Sequence, residues 1–480
     1  MSLVLFESLK AWWPELWLSA GALAVVVLSA GATSARRPFT VAWSILLIAA
    51  VALWRAPVPP PTSLFSGLIV CDRFSLAFRW IALGTVALTL LLVMGSQELR
   101  DTRRGECVAL LLFVGVGLML MAEAAHLLMA YVAMELVSLS SYVLVGFLRD
   151  ARSAEASLKY LLFGALASGI MLFGMSLLFG LTGALDFSSI QQASAGLSGS
   201  MASALLVAVA LMLAGLAFKI SMVPFHMWTP DAYEGAPVPV TALLSIGPKA
   251  AGLALPLRLL EALRPAWPSL EPWMLILTVV TMTLGNVVAL VQTNVKRLLA
   301  YSTIGQVGYL LIGVTVGTRL GLESLLLYLV AYLFMNLGVF ACVVAVVNDA
   351  RNESLDAFRG LARRSPVEAL LCTIFLLSLA GIPPMLGFFG KFLLFGSALA
   401  AHRPWLAIAG VINSAVALYY YVNLIRLMYV AEPERREPLR GVGFPLRVAL
   451  TVCAVATVAI GLFPGWLLAM IGSSSVVNLL

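Results

Sequence analysis

Residues 202–228 read ASALLVAVALMLAGLAFKISMVPFHMW. This run is longer than the about 20 apolar residues that a helix needs to cross a bilayer core. It contains one lysine, Lys219, and Pro224 follows about one and a half turns later. Proline interrupts a helix because it lacks a backbone N–H group. The stretch therefore predicts a transmembrane helix that breaks beside a buried charge.

The whole chain has the composition of an integral membrane protein. Of its 480 residues, 61% are hydrophobic and 11% are charged, and the mean hydropathy is +1.01. Soluble proteins are about half apolar and a quarter charged. The net charge of +7 is expected to hold cytoplasmic loops in place. No basic cluster carries the interleaved aromatic residues typical of nucleic-acid binding, so we expect no nucleic-acid partner.

Cofactor and metal motifs are missing from the sequence. The chain has five cysteines, none in a CxxC pair, and three histidines. Zinc and iron–sulfur sites need clustered thiolates or imidazoles, and no Gly-rich phosphate loop follows a strand pattern. We therefore expect no metal, no cofactor and no redox centre in this chain.

Apolar runs predict an all-α polytopic membrane protein with about 14 transmembrane helices. The first run is expected to be retained, because no basic n-region or cleavage site precedes it. The predicted spans are 15–34, 38–56, 74–96, 106–123, 125–147, 156–182, 202–228, 238–262, 271–293, 298–317, 321–347, 366–400, 404–430 and 445–471.

Basic residues alternate between the loops. With the loops numbered in chain order, the odd loops hold nineteen lysines and arginines, and the even loops and termini hold seven. Lysine and arginine are enriched in cytoplasmic loops. The asymmetry predicts that odd loops face the cytoplasm and that both termini lie outside.

An internal repeat is indicated by three pairs of residues. Tyr142 and Tyr309 are 167 residues apart, Tyr160 and Tyr328 are 168 apart, and Lys219 and Lys391 are 172 apart. The implied unit has five helices, so equivalent helices cross in opposite directions. This predicts two inverted repeats, helices 4–8 and helices 9–13, with helices 7 and 12 broken and the functional site near the midplane.

Four charged residues lie inside predicted spans, where each costs roughly 2.5–3.5 kcal/mol on insertion scales. Glu135 is the one glutamate predicted to lie deep, and Lys219, Lys249 and Lys391 are the lysines. A buried ion pair that locks helices together is the alternative for any one of them, but three lysines exceed one glutamate. Because burial and a nearby carboxylate shift a lysine pKa in opposite directions, we predict that these residues form a proton path.

Polar residues near these positions have more than one interpretation. His226 either relays protons or makes one structural hydrogen bond at a helix end. Asp231 and Glu234 either shape a proton entrance or cap a turn, and Lys159 either binds a lipid headgroup or joins the path. Arg79, about one turn into the third helix, is expected to extend outwards to the membrane surface.

Three motifs resemble one protein family. The segment FKISMVPFHMWTPDAYEGAPVPV (218–240) resembles the helix 7–8 signature of the antiporter-like subunits of NADH:quinone oxidoreductase, respiratory complex I. Its PFHxWTPDxYxGAP form is similar to the N-type subunits rather than to the L and M types. NVKRLLAYSTIGQVGYLLIG (294–313) and SLAGIPPMLGFFGKF (378–392) fit the same family, and the similarity runs over nearly the whole chain.

The resemblance implies two half-channels joined by a polar axis. Glu135 and Lys219 would be a coupled pair, Lys249 the connecting residue and Lys391 the residue of the second half-channel. Ser302 aligns with Glu135, so the halves are not chemically equivalent. The implied domains are N-terminal helices 1–3 in 1–105, the two repeats in 106–265 and 266–430, and a loop with helix 14 in 431–480.

The resemblance also implies a function. The chain would translocate protons in the membrane arm of complex I, in the bacterial inner membrane, contacting lipid and other membrane-arm subunits. NADH, FMN, iron–sulfur clusters and quinone would be bound by those partner subunits. The alternatives are a subunit of a multi-subunit cation/proton antiporter, a purely structural membrane-arm subunit and, with least support, a standalone quinone reductase.

Overall fold

The protein, as a computed structural model, is a bundle of helices. The structure describes residues 8–31, 37–55, 62–99, 104–433, 437–440 and 442–472. The helices are α1 Trp13–Gly31, α2 Arg37–Arg55, α3 Arg73–Gly95, α4 Arg104–Glu123, α5 Leu127–Val145, α6 Ala151–Thr182, α7 Phe187–Ala195, α8 Ser200–Ile220, α9 Trp228–Gly235, α10 Val238–Ala262, α11 Trp267–Ala289, α12 Val295–Val316, α13 Arg319–Ala350, α14 Leu361–Arg364, α15 Pro366–Ala380, α16 Leu386–Ala400, α17 Pro404–Tyr429, α18 Phe444–Leu462 and α19 Pro464–Gly472.

Twelve helices among the described residues are long and apolar enough to cross a membrane, so the chain is a multi-pass membrane protein. Three further helices, α1, α15 and α16, are apolar but shorter. The last two lie within the twelfth predicted span, which is broken. The count of fourteen spans remains a prediction. The chain termini and five of the basic loop residues (Arg36, Arg100, Arg103, Arg435 and Arg436) lie outside the described residues.

The centre of the bundle is formed by α10, α12 and α13. The apolar window of α10 is completely buried, and those of α12 and α13 are nine-tenths buried. By contrast, α5 and α6 expose large apolar side chains such as Leu139 and Leu162. Helices that are apolar on every face belong in the interior or against lipid. A short hairpin of β1 (Thr62–Leu64) and β2 (Ile69–Cys71) packs against the start of α3.

Capping residues and isolated β-bridges recur at a spacing of 168 residues. His126 and Asn294 cap α5 and α12, and Asp150 and Thr318 cap α6 and α13. Each cap side chain accepts a hydrogen bond from a free backbone N–H group of the first turn. The bridges His126–Asp186 and Asn294–Ser354 keep the same spacing. These recurrences support a five-helix repeat, while its inverted orientation and the four domain boundaries remain predictions.

The two lysines of the predicted repeat lie at different distances along the chain from their helix breaks. Both broken helices stop at a left-handed residue, Ser221 after α8 and Gly381 after α15, 160 residues apart. Counted from the breaks, the position that corresponds to Lys219 is Leu379. Lys219 comes two residues before its break and Lys391 ten residues after the other. The lysines are 172 residues apart and the breaks 160, so the equivalence of the two lysines stays a prediction.

Two helices of the second half touch through glycines. A Cβ atom added to Gly285 of α11 would lie 2.4 Å from the backbone nitrogen of Gly305 in α12, and 2.8 Å from the Tyr301 carbonyl oxygen. Backbone atoms move less easily than the tip of a side chain, so overpacking here is expected to cost about 1–3 kcal/mol.

We therefore expect Gly285→Ala to lower the midpoint of heat-induced aggregation of the tagged chain in detergent-solubilised membranes. Gly169→Ala in α6 is the matched control, because nothing lies within 4 Å of its added Cβ. Alanine favours helix over glycine by about 0.5–1 kcal/mol, so the control should be unchanged or slightly more stable. Equal midpoints for the two variants would show that the glycine contact contributes little.

Candidate proton-transfer site

Lys219 lies at the end of α8 and is completely buried. Its Nζ donates a hydrogen bond to Ser138 Oγ of α5, at 2.9 Å. The helix ends at Ser221, whose φ is 65°. Side chains from the following segment bind groups at the break: Trp228 Nε1 donates to the Phe218 carbonyl oxygen at 3.0 Å. Irregular backbone within a membrane protein needs such partners, because lipid offers none.

Glu135 lies one turn before Ser138 on α5 and is half-buried. Its carboxylate accepts a hydrogen bond from Ser168 Oγ of α6. No direct ion pair joins Glu135 to Lys219; each binds a serine. The prediction of one deep glutamate was wrong. Within the described chain, Glu15 and Glu123 are the completely buried glutamates, because partners from neighbouring helices surround them.

Lys249 lies in the middle of α10, which continues through Pro248. It is completely buried, and its Nζ has no hydrogen-bond acceptor among the described residues. The Nζ is 4.6 Å from the ring centroid of Trp228 and 5.2 Å from that of Tyr233, both on α9. Aromatic rings attract a cation but do not accept a proton. The lysine is therefore held without a fixed counter-charge.

Lys391 is buried in α16. Its Nζ donates to the carbonyl oxygen of Ala380 at 3.3 Å and to Ser414 Oγ of α17 at 3.4 Å. It also lies 4.3 Å from the ring centroid of Tyr309. Ala380 is the last residue of α15, where backbone carbonyls lack partners within the helix. The break thus supplies an acceptor for the second-half lysine.

Polar side chains on α12 form hydrogen bonds with side chains of α13 and α17, within the predicted second half. The Ser302 and Tyr421 hydroxyls are 2.5 Å apart, and Gln306 Nε2 donates to the Tyr421 hydroxyl at 3.2 Å. Tyr328 donates a hydrogen bond to Gln306, and Tyr332 donates to Thr303 at 3.0 Å. Sequence reasoning had not assigned roles to Thr303, Gln306, Tyr332 or Tyr421. A glutamine in the apolar run STIGQVGY was the available signal, since buried amides need partners.

His226 lies between α8 and α9, and its side chain is half-buried. Its Nδ1 is buried and has no hydrogen-bond partner in the described part of the chain. Its backbone carbonyl accepts a hydrogen bond from Thr229 N at 2.9 Å. A proton-relay role and a structural side-chain bond both stay predictions for His226.

The acidic residues of α9 form an ion-pair network. Asp231 pairs with Lys159 at 3.1 Å and with Arg297 at 2.8 Å, and Glu234 pairs with Arg297 at 2.7 Å and with Arg152 at 2.8 Å. Burial raises the pKa of Asp231, but hydrogen bonds from Arg297 and Lys159 outweigh it, so the pKa lies below its usual range. These contacts link α6, α9 and α12 at one end of the bundle.

Arg79 does not extend to the membrane surface as predicted. Its side chain is 4% exposed, and its Nε and Nη2 bind the two carboxylate oxygens of Glu15, each at 2.7 Å. Its Nε also contacts Glu123. Nearby, Arg258 binds both carboxylate oxygens of Asp72 at 2.7 Å. The prediction was wrong because α1 brings a glutamate to Arg79 that the local sequence does not contain.

A polytopic helical protein with lysines buried beside broken helices has the form of an ion-translocating membrane protein. Residues 124–417 match the family described as NADH:quinone oxidoreductase/Mrp antiporter, transmembrane, and the chain belongs to that family.

Relatives and solved structures extend over nearly the full length. The chain is 44% identical to the NADH-quinone oxidoreductase subunit N 2 of Sorangium cellulosum, covering 95% of both proteins. A chain of respiratory complex I from Thermus thermophilus is 31% identical with a TM-score of 0.82, covering 96% of this chain and all of that one. A chain of the Mrp complex from Dietzia is 25% identical with a TM-score of 0.87, covering 99% and 97%.

Proposed function

We propose that this chain is an N-type, proton-translocating subunit in the membrane arm of an NADH:quinone oxidoreductase. The observation that carries the proposal is the set of three buried lysines, Lys219, Lys249 and Lys391, none of which forms an ion pair among the described residues. Buried ammonium groups without carboxylates are costly. Lysines in such sites change protonation readily, as proton transfer requires.

The transfer begins at Glu135. This residue is half-buried, and Val132 and Leu139 on the same helix are exposed, so α5 reaches the outer surface of the chain. A charge change in an adjacent membrane-arm subunit can therefore act on Glu135. The effect of that charge change reaches Lys219 because Glu135 lies one turn from Ser138 on α5. Ser138 in turn accepts the hydrogen bond of Lys219.

Lys219 then passes its proton to Lys249, and the polar side chains of α12 conduct it to Lys391 for release outside. Tyr421, Ser302 and Gln306 provide hydroxyl and amide groups along this route. Moving one proton against the membrane potential costs about 2.3 kcal/mol per 100 mV. The chain acts as a translocase subunit, and the free energy comes from redox chemistry in its partners.

The partner subunits bind NADH, FMN, the iron–sulfur clusters and quinone, and this chain supplies no redox centre. It lies in the bacterial cytoplasmic membrane with both termini outside. The odd loops hold nineteen basic residues, and the even loops and termini hold seven. This asymmetry supports the orientation.

The second candidate is a subunit of a multi-subunit cation/proton antiporter, favoured by the TM-score of 0.87 to a chain of the Mrp complex. The identity to that chain is 25%, against 44% to the subunit N relative. The sequence therefore lies nearer the oxidoreductase branch of the shared fold.

Affinity purification of the tagged chain from its own membranes distinguishes the two functions. We expect the chain to co-purify with NADH:quinone oxidoreductase activity, and membranes lacking the chain to lose NADH-driven proton uptake. A purified complex without NADH oxidation, together with loss of sodium/proton exchange in the deletion strain, would contradict the proposal and identify the antiporter.

A further inference from the structure

A polar cavity of about 290 Å³ lies at one end of the bundle. Four charged side chains line it (Glu98, Arg152, Arg351 and Glu353), together with four amide side chains. These residues come from, or border, odd-numbered loops, which are predicted to face the cytoplasm. A space of this size and polarity holds several water molecules. The proposed function does not use it.

One residue of the cavity wall, Glu98, bonds the first residue of α10. Glu98 Oε2 accepts a hydrogen bond from Val238 N at 2.9 Å. Beside it, Lys296 Nζ donates to the Ala236 carbonyl oxygen at 2.8 Å and pairs with Glu353. Burial raises the pKa of Glu98 above its usual range, although Lys296 and the Val238 N–H group oppose this. Glu98 is thus a carboxyl group between water and the helix that carries Lys249.

Polar residues continue along one face of α10 from this point. Thr241, Ser245 and Lys249 are four residues apart, a spacing that places them on the same face, and all three are completely buried. Asn336 Nδ2 of α13 donates to Ser245 Oγ at 2.5 Å and fixes the position of that hydroxyl on this face, the polar stripe of α10. Thr241 Oγ1 donates to the carbonyl oxygen of Tyr233 at 2.9 Å.

The spacing of the stripe suits proton transfer through single water molecules. Four residues of helix rise about 6 Å. One water molecule that bonds a hydroxyl on each side spans about 5.5 Å. The step between the Thr241 and Ser245 hydroxyls therefore needs one bridging water and a small side-chain movement.

We propose that Glu98, Thr241 and Ser245 form a second proton entrance, which leads from the cytoplasmic cavity to Lys249 without passing through Lys219. The Glu98 carboxylate takes up a proton that arrives from the cytoplasm through the cavity water, which is left neutral, and passes it along the hydroxyls. The Lys249 amine receives it and becomes an ammonium, and Glu98 returns to a carboxylate. Asn336 is a positioning residue. This inference rests on the proposed function, since it needs Lys249 on the pumped path.

The test uses Thr241→Val in inverted membrane vesicles, after assembly has been verified. Valine keeps the shape but removes the hydroxyl, so we expect NADH:quinone turnover and proton uptake to fall roughly fivefold. The solvent deuterium isotope effect on turnover should rise, because proton entry becomes limiting. Thr241→Ser keeps the hydroxyl and should match the wild type in both measurements.

The matched control is Thr278→Val in α11. Thr278 is also completely buried and donates to a backbone carbonyl, that of Met274, at 2.7 Å. It should leave turnover and isotope effect unchanged. For the carboxyl group, Glu98→Gln should lower proton uptake, whereas Asp356→Asn, in an exposed pair with Arg359, should not.

Two outcomes distinguish failure of the second entrance from failure of the proposed function. If Thr241→Val and Glu98→Gln keep wild-type turnover while Lys249→Ala loses it, the second entrance is wrong and the proposed function stands. If Lys249→Ala also keeps wild-type proton uptake, the proposed function itself fails. If turnover falls equally in Thr278→Val and Thr241→Val, with no change in isotope effect, Thr241 contributes only packing. The proposal of a second entrance is then wrong.

Discussion

Lys219→Ala is expected to abolish most proton uptake and to reduce NADH:quinone turnover roughly tenfold or more. The substitution removes the amine that bonds Ser138 Oγ at 2.9 Å, next to the break at Ser221. Because redox chemistry and proton transfer are coupled in the proposed function, both rates should fall together. Both are measured in inverted membrane vesicles after assembly of the complex has been verified.

Lys219→Arg separates proton transfer from fixed charge. Arginine retains the positive charge but does not release its proton in proteins. A proton-carrying Lys219 therefore predicts that Lys219→Arg is nearly as inactive as Lys219→Ala. Full activity in Lys219→Arg would mean that the residue supplies only charge. Full activity in Lys219→Ala would instead support the alternative of a purely structural membrane-arm subunit.

Arg79→Leu is expected to destabilise the chain by about 3–5 kcal/mol, the usual cost of breaking a buried ion pair from one side. Arg79 is the cation that contacts both Glu15 and Glu123, and both carboxylates are completely buried. Neither carboxylate oxygen of Glu123 accepts a hydrogen bond from the described residues. Without the guanidinium, two carboxylates would share an apolar site with no cation in contact with both, since Arg258 nearby is bonded to Asp72.

The measurement is the midpoint of heat-induced aggregation of the tagged chain in detergent-solubilised membranes. Arg403→Leu is the control, because Arg403 pairs with Glu271 at 2.7 Å with 43% of its side chain exposed, and exposed pairs contribute about 0–1 kcal/mol. Adding Glu15→Gln and Glu123→Gln to Arg79→Leu removes the unpaired charges and should restore much of the midpoint. A midpoint for Arg79→Leu equal to that of the control would show that the cluster does not stabilise the chain.

Local sequence was enough to predict the twelve long apolar helices. The length of an apolar run and the position of a proline are properties of neighbouring residues. They therefore identified the breaks after Lys219 and before Lys391, which the structure places at Ser221 and Gly381. The burial of Lys249 in α10 followed in the same way, since no charge lies nearby in its run.

The partners of those charges were decided by tertiary structure. Lys219 bonds Ser138, 81 residues away, and Arg79 pairs with Glu15, 64 residues away. The sequence contains both members of each pair but not the packing that brings them together. For the same reason it overestimated the burial of Glu135.

The hydrogen bonds of the α12 polar residues and the cavity also exist only in the folded chain. Ser302 meets Tyr421 from 119 residues away, and Ser245 meets Asn336 from 91. Each of these residues is unremarkable in its own apolar run. The sequence by itself determined which segments enter the membrane and which charges go with them, because lipid solvation acts on each segment separately. Only tertiary structure decided which polar groups those charges meet, because a hydrogen bond depends on distances of about 3 Å between helices that are remote in sequence.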